Sequence, residues 1–345
     1  MRSAWTGFRS PLSHYISQFV AVKRALGCRF ASEDRTLRLL DRFLVDRGLT
    51  TLDDITADVI DQFLASRPRR APKGYNHLLG VVRRLFDWLV SQQMIATSPV
   101  RTRPRPETAR RLPFLIDPPL ARRLLEVARQ LPDNNRSRYR GPTYHAIFAV
   151  LYGLGLRVGE ASRLQLGDLD FDRDVLLIRD SKFGKSRQVP FGPRLAAVLR
   201  AYLAGRPRDR GTDAGAPLFT WSGRQPVHTN SIRHTFRDDI VPRLDVVLPP
   251  GTRRPRVHDL RHSFAIGTLL RWYRTGLDPA ARLHHLSTFL GHVSPDTTRG
   301  LSHDHERLVR GSQSSVRGAG GPDNRGGAAM TTVTLGTLIY AFFVD

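Results

Sequence analysis

The stretch His258-Asp259-Leu260-Arg261-His262 decides how this chain is read. About thirty residues on it is answered by Leu290-Gly291-His292, and roughly a hundred residues earlier by Gly155-Leu156-Arg157-Val158-Gly159-Glu160. Alone, each motif says little. A lone arginine is usually a solvated surface group, a histidine is often a core residue with satisfied ring nitrogens, and the glycines before Arg157 read equally well as simple turn chemistry. Together they bring two arginines and two or more histidines into short polar boxes. Guanidinium forks complement the non-bridging oxygens of a phosphate and bind more strongly as charge accumulates there.

Bulk properties agree with a polyanionic partner. The chain has 345 residues, enough for about two domains that each bury a core. Lys and Arg number 54 against 31 Asp and Glu, a formal net charge of +23, and nearly all the positive charge is arginine, whose planar fork suits phosphate. Residues 299–345 hold five Arg against four Asp and Glu, so almost the whole excess precedes them. The single cysteine, Cys28, permits no internal disulfide and no thiolate zinc site. This fits a reducing cytoplasm, and the expected location is cytoplasmic, on the nucleoid. No apolar run reaches the roughly 18 residues that span a bilayer, and Met1 to Ser10 lacks a signal-peptide core. HExxH, GxxxxGK[ST] and GxGxxG motifs are all missing, so neither a metal nor a nucleotide cofactor is expected.

Apolar residues recur at helical spacing through Tyr15 to Val22, Leu37 to Leu44, Val59 to Phe63 and Leu78 to Met94, which predicts a bundle of four helices over residues 1–98. Arg69, Arg70 and Lys73 stand together at the start of the fourth helix, after a proline break. Residues 99–113 alternate proline with arginine, including Arg101, Arg103 and Arg105. With so little apolar surface to pack, they are expected to form an extended linker, read either as a solvated hinge or as a basic strap along DNA. A second domain is expected over 114–305. It opens with Asp117 as an N-cap, continues through helices at Leu120 to Leu131 and Tyr144 to Leu154, and contains a hairpin of Val175 to Ile178 with Gln188 to Phe191. Further helices are expected around Asn230 to Asp238 and Ser263 to Tyr273. Residues 306–345, rich in glycine and without amphipathic period, are expected to be disordered or out-of-frame sequence.

In this order and spacing, the boxes resemble those of the tyrosine recombinases, the phage-integrase family, which cut and rejoin DNA through a 3′-phosphotyrosine. The resemblance covers roughly residues 145–298 and extends to the helical N-terminal domain, which is similar to the family's core-binding domain. It implies a mainly α protein, with a helical core-binding bundle followed by a mostly helical α+β catalytic domain carrying a small β-hairpin or sheet. It assigns stabilisation of the phosphorane to Arg157 and Arg261, phosphate contact or proton handling to His258 and His292, and support of the first box to Glu160. The general acid is Lys182, with Lys185 the alternative, both in the hairpin turn Ser181-Lys182-Phe183-Gly184-Lys185-Ser186. Arg69, Arg70, Lys73, Arg101, Arg103 and Arg105 are the expected DNA contacts. The expected partners are double-stranded DNA bearing a specific recombination site and further copies of the chain, as a tetramer, or related recombinase subunits.

One departure stands out. The family places its nucleophilic tyrosine nine residues after the last-box histidine, and here that position is Leu301. The only tyrosine downstream of His292 is Tyr340, 48 residues beyond it. Two readings follow: a recombinase inactive in this form, or a recombinase-like protein that binds DNA without cutting it. A frameshift near residue 299 accounts for the first, because a TTA codon for Leu301 followed by TCN yields TAT, a tyrosine codon, when read one base later.

Overall fold

Thr56, in extended conformation, accepts a hydrogen bond from the backbone N–H of Val59 and so starts one helix; Pro72 starts the next, where its missing N–H costs nothing. These are α3 (Ala57–Ala65) and α4 (Pro72–Ser91), which follow α1 (Ser13–Ala25) and α2 (Ala31–Asp46). The computed structural model describes residues 7–28, 30–106, 113–135, 137–179, 186–206, 213–221, 225–248 and 252–291. The chain divides into two compact units, Met1–Arg110 and Arg111–Asp345.

In the first unit the faces expected from the apolar period meet. Phe19, Leu37, Leu40, Phe63, Leu78, Val81, Leu85 and Leu89 are all buried, and Trp88 lies against Phe19 with ring centroids 5.5 Å apart. Residues 101–106 form neither helix nor strand, yet they dock on this unit. Val100 is buried in its core, Arg83 donates to the carbonyl of Thr102 at 2.6 Å, and Asn76 accepts from the N–H of Arg105 at 2.8 Å while donating to its carbonyl at 2.9 Å. The lack of apolar side chains had suggested a segment with nothing to pack against. Backbone groups supply the attachment instead, meeting polar side chains on α4. Residues 107–112 lie outside the described residues.

The second unit is built around α6 (Arg140–Gly153), whose residues Ala146 to Tyr152 are all buried. Before it comes α5 (Pro118–Arg129), capped by Asp117 through the N–H of Leu120 at 2.9 Å. After it come α7 (Val158–Ser162) and a three-stranded antiparallel sheet in the order β1 (Leu169–Asp170), β2 (Val175–Ile178), β3 (Arg187–Pro190). In the β2–β3 pair, Val175 faces Pro190 and Ile178 faces Arg187. The chain continues through α8 (Pro193–Gly205) and α9 (Thr229–His234), which widens into a π-helical turn over Thr235–Ile240. It then forms α10 (Val257–Arg274) and α11 (Pro279–Leu290). The mainly helical class with a small sheet matches the expectation.

Four elements differ. The sequence reading contains no helix at α8 or α11 and no strand at β1. It also begins α10 at Ser263, whereas Asp259 accepts from the N–H of Arg256 at 2.8 Å, which starts the helix at Val257. His258 and Arg261 therefore stand on the first turns of a helix.

Candidate active site

The C-terminus of α11 organises the site. Gly291 ends the helix in the left-handed region at φ +66°, leaving the final carbonyls without intrahelical partners. Each of the last three accepts from a different guanidinium. Arg187 Nε reaches the carbonyl of Phe289 at 2.8 Å, Arg261 Nη2 that of Leu290 at 2.6 Å, and Arg157 Nη2 that of Gly291 at 2.8 Å. The negative pole of the helix thus faces three cations.

Two glycines make this approach possible. Arg261 Nη1 also donates to the carbonyl of Gly155 at 2.7 Å. Gly155 has φ +59°, and a Cβ there would lie 2.6 Å from the ring of Phe264 and 2.9 Å from Leu290. A Cβ on Gly291 would fall 2.9 Å from the guanidinium of Arg187.

Glu160 holds the arginines in place. Its carboxylate accepts from the backbone N–H of Arg157 at 2.9 Å, which starts α7, and from Arg157 Nη1 at 2.8 Å. It also accepts both outer nitrogens of Arg187, each at 3.0 Å. Burial alone would raise its pKa; the hydrogen bonds and charge of Arg187, reinforced by Arg157, override that and hold it at about 2. Arg261 is itself buried. Loss of solvent, and then the charge of Arg157, bring its pKa down to about 9 against the opposing pull of Glu160, so it remains a cation at neutral pH.

His258 lies one turn from His262, with ring centroids 4.7 Å apart and edge-on. His258 is nevertheless an exposed residue, so solvent tempers the size of the shift that follows but not its direction. Desolvation by the protein packed around it, followed by the charges of Arg261, Arg157, Arg253 and Arg233, lowers its pKa to about 4. It is therefore neutral at physiological pH, able both to donate and to accept. Next to it Asp259 is fully buried and meets Arg253 at 3.4 Å. Burial raises its pKa, against the hydrogen bond from the N–H of Arg256 and the charge of Arg253. Among the described residues, no three His, Cys, Asp or Glu side chains gather as a metal-ligand set.

Of the expected site residues, Arg157, Glu160, His258 and Arg261 come together. His292 follows Gly291 directly in the chain but lies outside the described residues, as do Lys182, Lys185, Leu301 and Tyr340. Arg69, Arg70, Lys73, Arg101, Arg103 and Arg105 belong to the first unit and are all exposed. There Arg105 lies over the ring of Tyr75 at 3.8 Å and donates to the carbonyl of Arg69 at 3.1 Å. Arg69, Arg70 and Arg105 line a cavity of about 420 Å³.

Arg187, in the cluster, and Arg253, beside it on Asp259, fall outside the sequence motifs. A signal for Arg187 was present. In a strand, residues two apart share a face, and Val189 is fully buried, so Arg187 points the same way and needs an internal partner. Arg253 offered no comparable pattern.

A cluster of three guanidiniums, one carboxylate and a neutral imidazole suits an oxyanion that gains charge during reaction. The Phage integrase family model matches residues 121–306 of the chain. A putative integrase/recombinase, y4rB, of Sinorhizobium fredii is 35% identical over 288 residues, 81% of this chain and 88% of that protein. Tyrosine recombinase XerC of Xanthomonas campestris pv. campestris is 27% identical over 280 residues, 80% of this chain and 79% of that protein. Among solved structures, the Tn1549 transposon integrase in complex with transposon right end DNA shares the fold. Its TM-score is 0.59 at 18% identity, covering 89% of this chain and 100% of that one.

Proposed function

The chain belongs to the phage integrase family, and from that premise we propose that it is a site-specific DNA recombinase built for metal-free strand cleavage and rejoining through a 3′-phosphotyrosine, unable to cleave while position 301 is leucine. The observation that carries the reading is the convergence of Arg157 and Arg261 on the end of α11, with His258 one helical turn before His262 and near enough to both arginines to feel their charge. Arg157 and Arg261 bind the non-bridging oxygens of a scissile phosphate and stabilise the charge that accumulates in the phosphorane. His258, neutral in the free protein, hydrogen-bonds the phosphate and takes a proton more readily once that anion offsets the surrounding arginines. Lys182, or Lys185 in its place, protonates the leaving 5′-oxygen, and His292 adds a second phosphate contact. In the first unit Arg69, Arg70, Lys73, Arg101, Arg103 and Arg105 grip the duplex backbone. The partner is double-stranded DNA carrying a recombination site, bound by several copies of the chain, as a tetramer, or by related recombinase subunits, on the nucleoid.

A second reading, a DNA-binding protein of this family that does not cut, rests on Leu301, which has no nucleophilic atom. One experiment separates the two. Duplexes selected for binding from a random library are nicked and incubated with the chain and with Leu301→Tyr, and the products are run on a denaturing gel. A covalent adduct with Leu301→Tyr alone supports the recombinase and its frameshift. Binding without an adduct in either form establishes the non-cleaving reading, while an adduct with the unaltered chain points to Tyr340.

A further inference from the structure

Arg187 is bound up with the site yet is assigned no part in the proposed chemistry. Its side chain is 11% exposed, against 29% for Arg157, and the Glu160 carboxylate between them is 2% exposed. Arg157 is therefore the guanidinium open to a ligand, and Arg187 stands behind the carboxylate. Both outer nitrogens of Arg187 engage that carboxylate. Arg157 shares one of its oxygens.

Charge decides what this arrangement does. Glu160 is ionised, its pKa held at about 2. A buried anion beside Arg157 competes with any phosphate for the same guanidinium, at a distance where their interaction is strong in a poorly screened interior. A fork that takes both carboxylate oxygens cancels that competitor locally. Among the described side chains, Arg157, Arg187 and Arg261 against Glu160 leave a net charge of +2. A phosphodiester of charge −1 attacked by an anionic oxygen becomes a phosphorane of charge −2. Losing Arg187 therefore takes one positive charge from the group that must meet the growing charge of the phosphorane.

Resting on the proposed phosphate chemistry, we infer that Arg187 is a positioning residue that neutralises Glu160 and so leaves Arg157 available to the phosphate. Its Nε bond to the carbonyl of Phe289 holds the end of α11 in the same frame. Arg187 acts through Glu160. Its loss is therefore harmful because of Glu160, and removing the carboxylate charge as well restores the balance.

The test uses the full chain with inorganic phosphate as probe, read at the His258 ring resonance by NMR, with Arg187→Gln, Arg187→Lys and Arg187→Gln/Glu160→Gln as variants. Phosphate near Arg157 and Arg261 should shift this resonance in the wild type. Arg187→Gln should bind phosphate about tenfold more weakly, the order expected for losing one nearby charge. The double variant should return to within about threefold of wild type, and Arg187→Lys, which keeps the charge, should stay close to it. A double variant no better than Arg187→Gln, or an Arg187→Gln indistinguishable from wild type, overturns the inference. So does failure of both single variants to fold, which would make Arg187 purely a structural residue. A wild-type His258 signal unmoved by phosphate sinks the phosphate reading of the site itself, a different outcome from those above.

Discussion

The two arginine-rich regions of this protein hold their charges in opposite ways. In the second unit Arg261 is buried, with one N–H of Nη1 and one of Nη2 donating to the carbonyls of Gly155 and Leu290. In the first unit, Arg69, Arg70, Lys73, Arg101 and Arg103 are exposed, and order is imposed on the backbone through Asn76 and Arg83. Buried cations cost desolvation and repay it only where the ligand's charge grows in a fixed place. Exposed cations are screened and mobile, and suit attraction to a long polyanion. In the proposed reading the first region holds a duplex and the second acts on one phosphate within it.

That contrast breaks most visibly at Arg261. In the Leu301→Tyr background, Arg261→Ala should lower adduct formation by about 10³-fold or more while the affinity for duplex stays within about threefold. Equal losses in both would make Arg261 an anchor like those of the first unit. Because the substitution also strands two buried carbonyl acceptors, Arg261→Lys serves as a control. It should fold better and still cleave poorly, since an ammonium cannot reproduce the fork. Cleavage should survive EDTA, given that guanidiniums supply the positive charge.

Salt sharpens the same distinction. Raising it from about 50 to 200 mM should weaken duplex binding by about two to three powers of ten if several phosphates are neutralised. Removing Arg69, Arg70 and Lys73 together should flatten the slope of log affinity against log salt by about three. A slope unchanged by that triple substitution would move the backbone contacts elsewhere.

Acid reaches the buried cluster through Glu160. The folded-state pKa of Glu160, about 2, lies below its ordinary value of 4.5. The stability it contributes is therefore complete above about pH 4.5 and lost as pH falls toward 2, on the order of 3 kcal/mol in total. His258 acts in the same direction, because its folded pKa of about 4 means that the unfolded chain takes up the proton first on acidification. Chemical denaturation at pH 6 and pH 3 should show the loss, and Glu160→Gln should remove about half of the difference, the rest belonging to His258. A Glu160→Gln protein with undiminished acid sensitivity would show that other carboxylates govern it.

How much of this was visible beforehand depends on what each residue's partner was. The helical bundle, α5, α6, β2 and β3 followed from apolar period and capping residues, because their partners are local or generic. Arg157, Glu160, His258 and Arg261 were legible as spaced motifs. Their geometric meaning was not, since it depends on the terminus of α11, an element the reading lacked altogether. Helices α8 and α11 both begin with a proline in the first turn, after Gly192 and after Asp278, whose side chain accepts from the N–H of Ala280 at 2.8 Å. Both are helix-start signals that a sequence carries on its face. Strand alternation marks Arg187 as inward-facing but not what it meets, because its partners are Glu160, 27 positions earlier in the chain, and Phe289, 102 positions later. Spacing within one motif carries no information about either.

The smallest expected effect lies in the first region, at Asn76. Its side-chain amide makes two hydrogen bonds to the backbone of Arg105, as a neighbouring strand would, and the adjacent Tyr75 lies under the guanidinium of the same residue. Asn76→Ala removes the clasp but no positive charge. The number of phosphates neutralised should therefore be unchanged, and with it the salt slope. What is lost is prior ordering of residues 101–106, so binding must then meet that entropy itself, at about 0.5–1.5 kcal/mol for each side chain it immobilises. The dissociation constant should rise by about three- to tenfold, with the salt slope parallel to wild type. Arg105→Ala should instead reduce the slope by about one. If Asn76→Ala changes the slope as Arg105→Ala does, Asn76 touches the DNA directly and the docked segment is not preorganised by it; if it changes neither slope nor affinity, residues 101–106 take no part in holding the duplex.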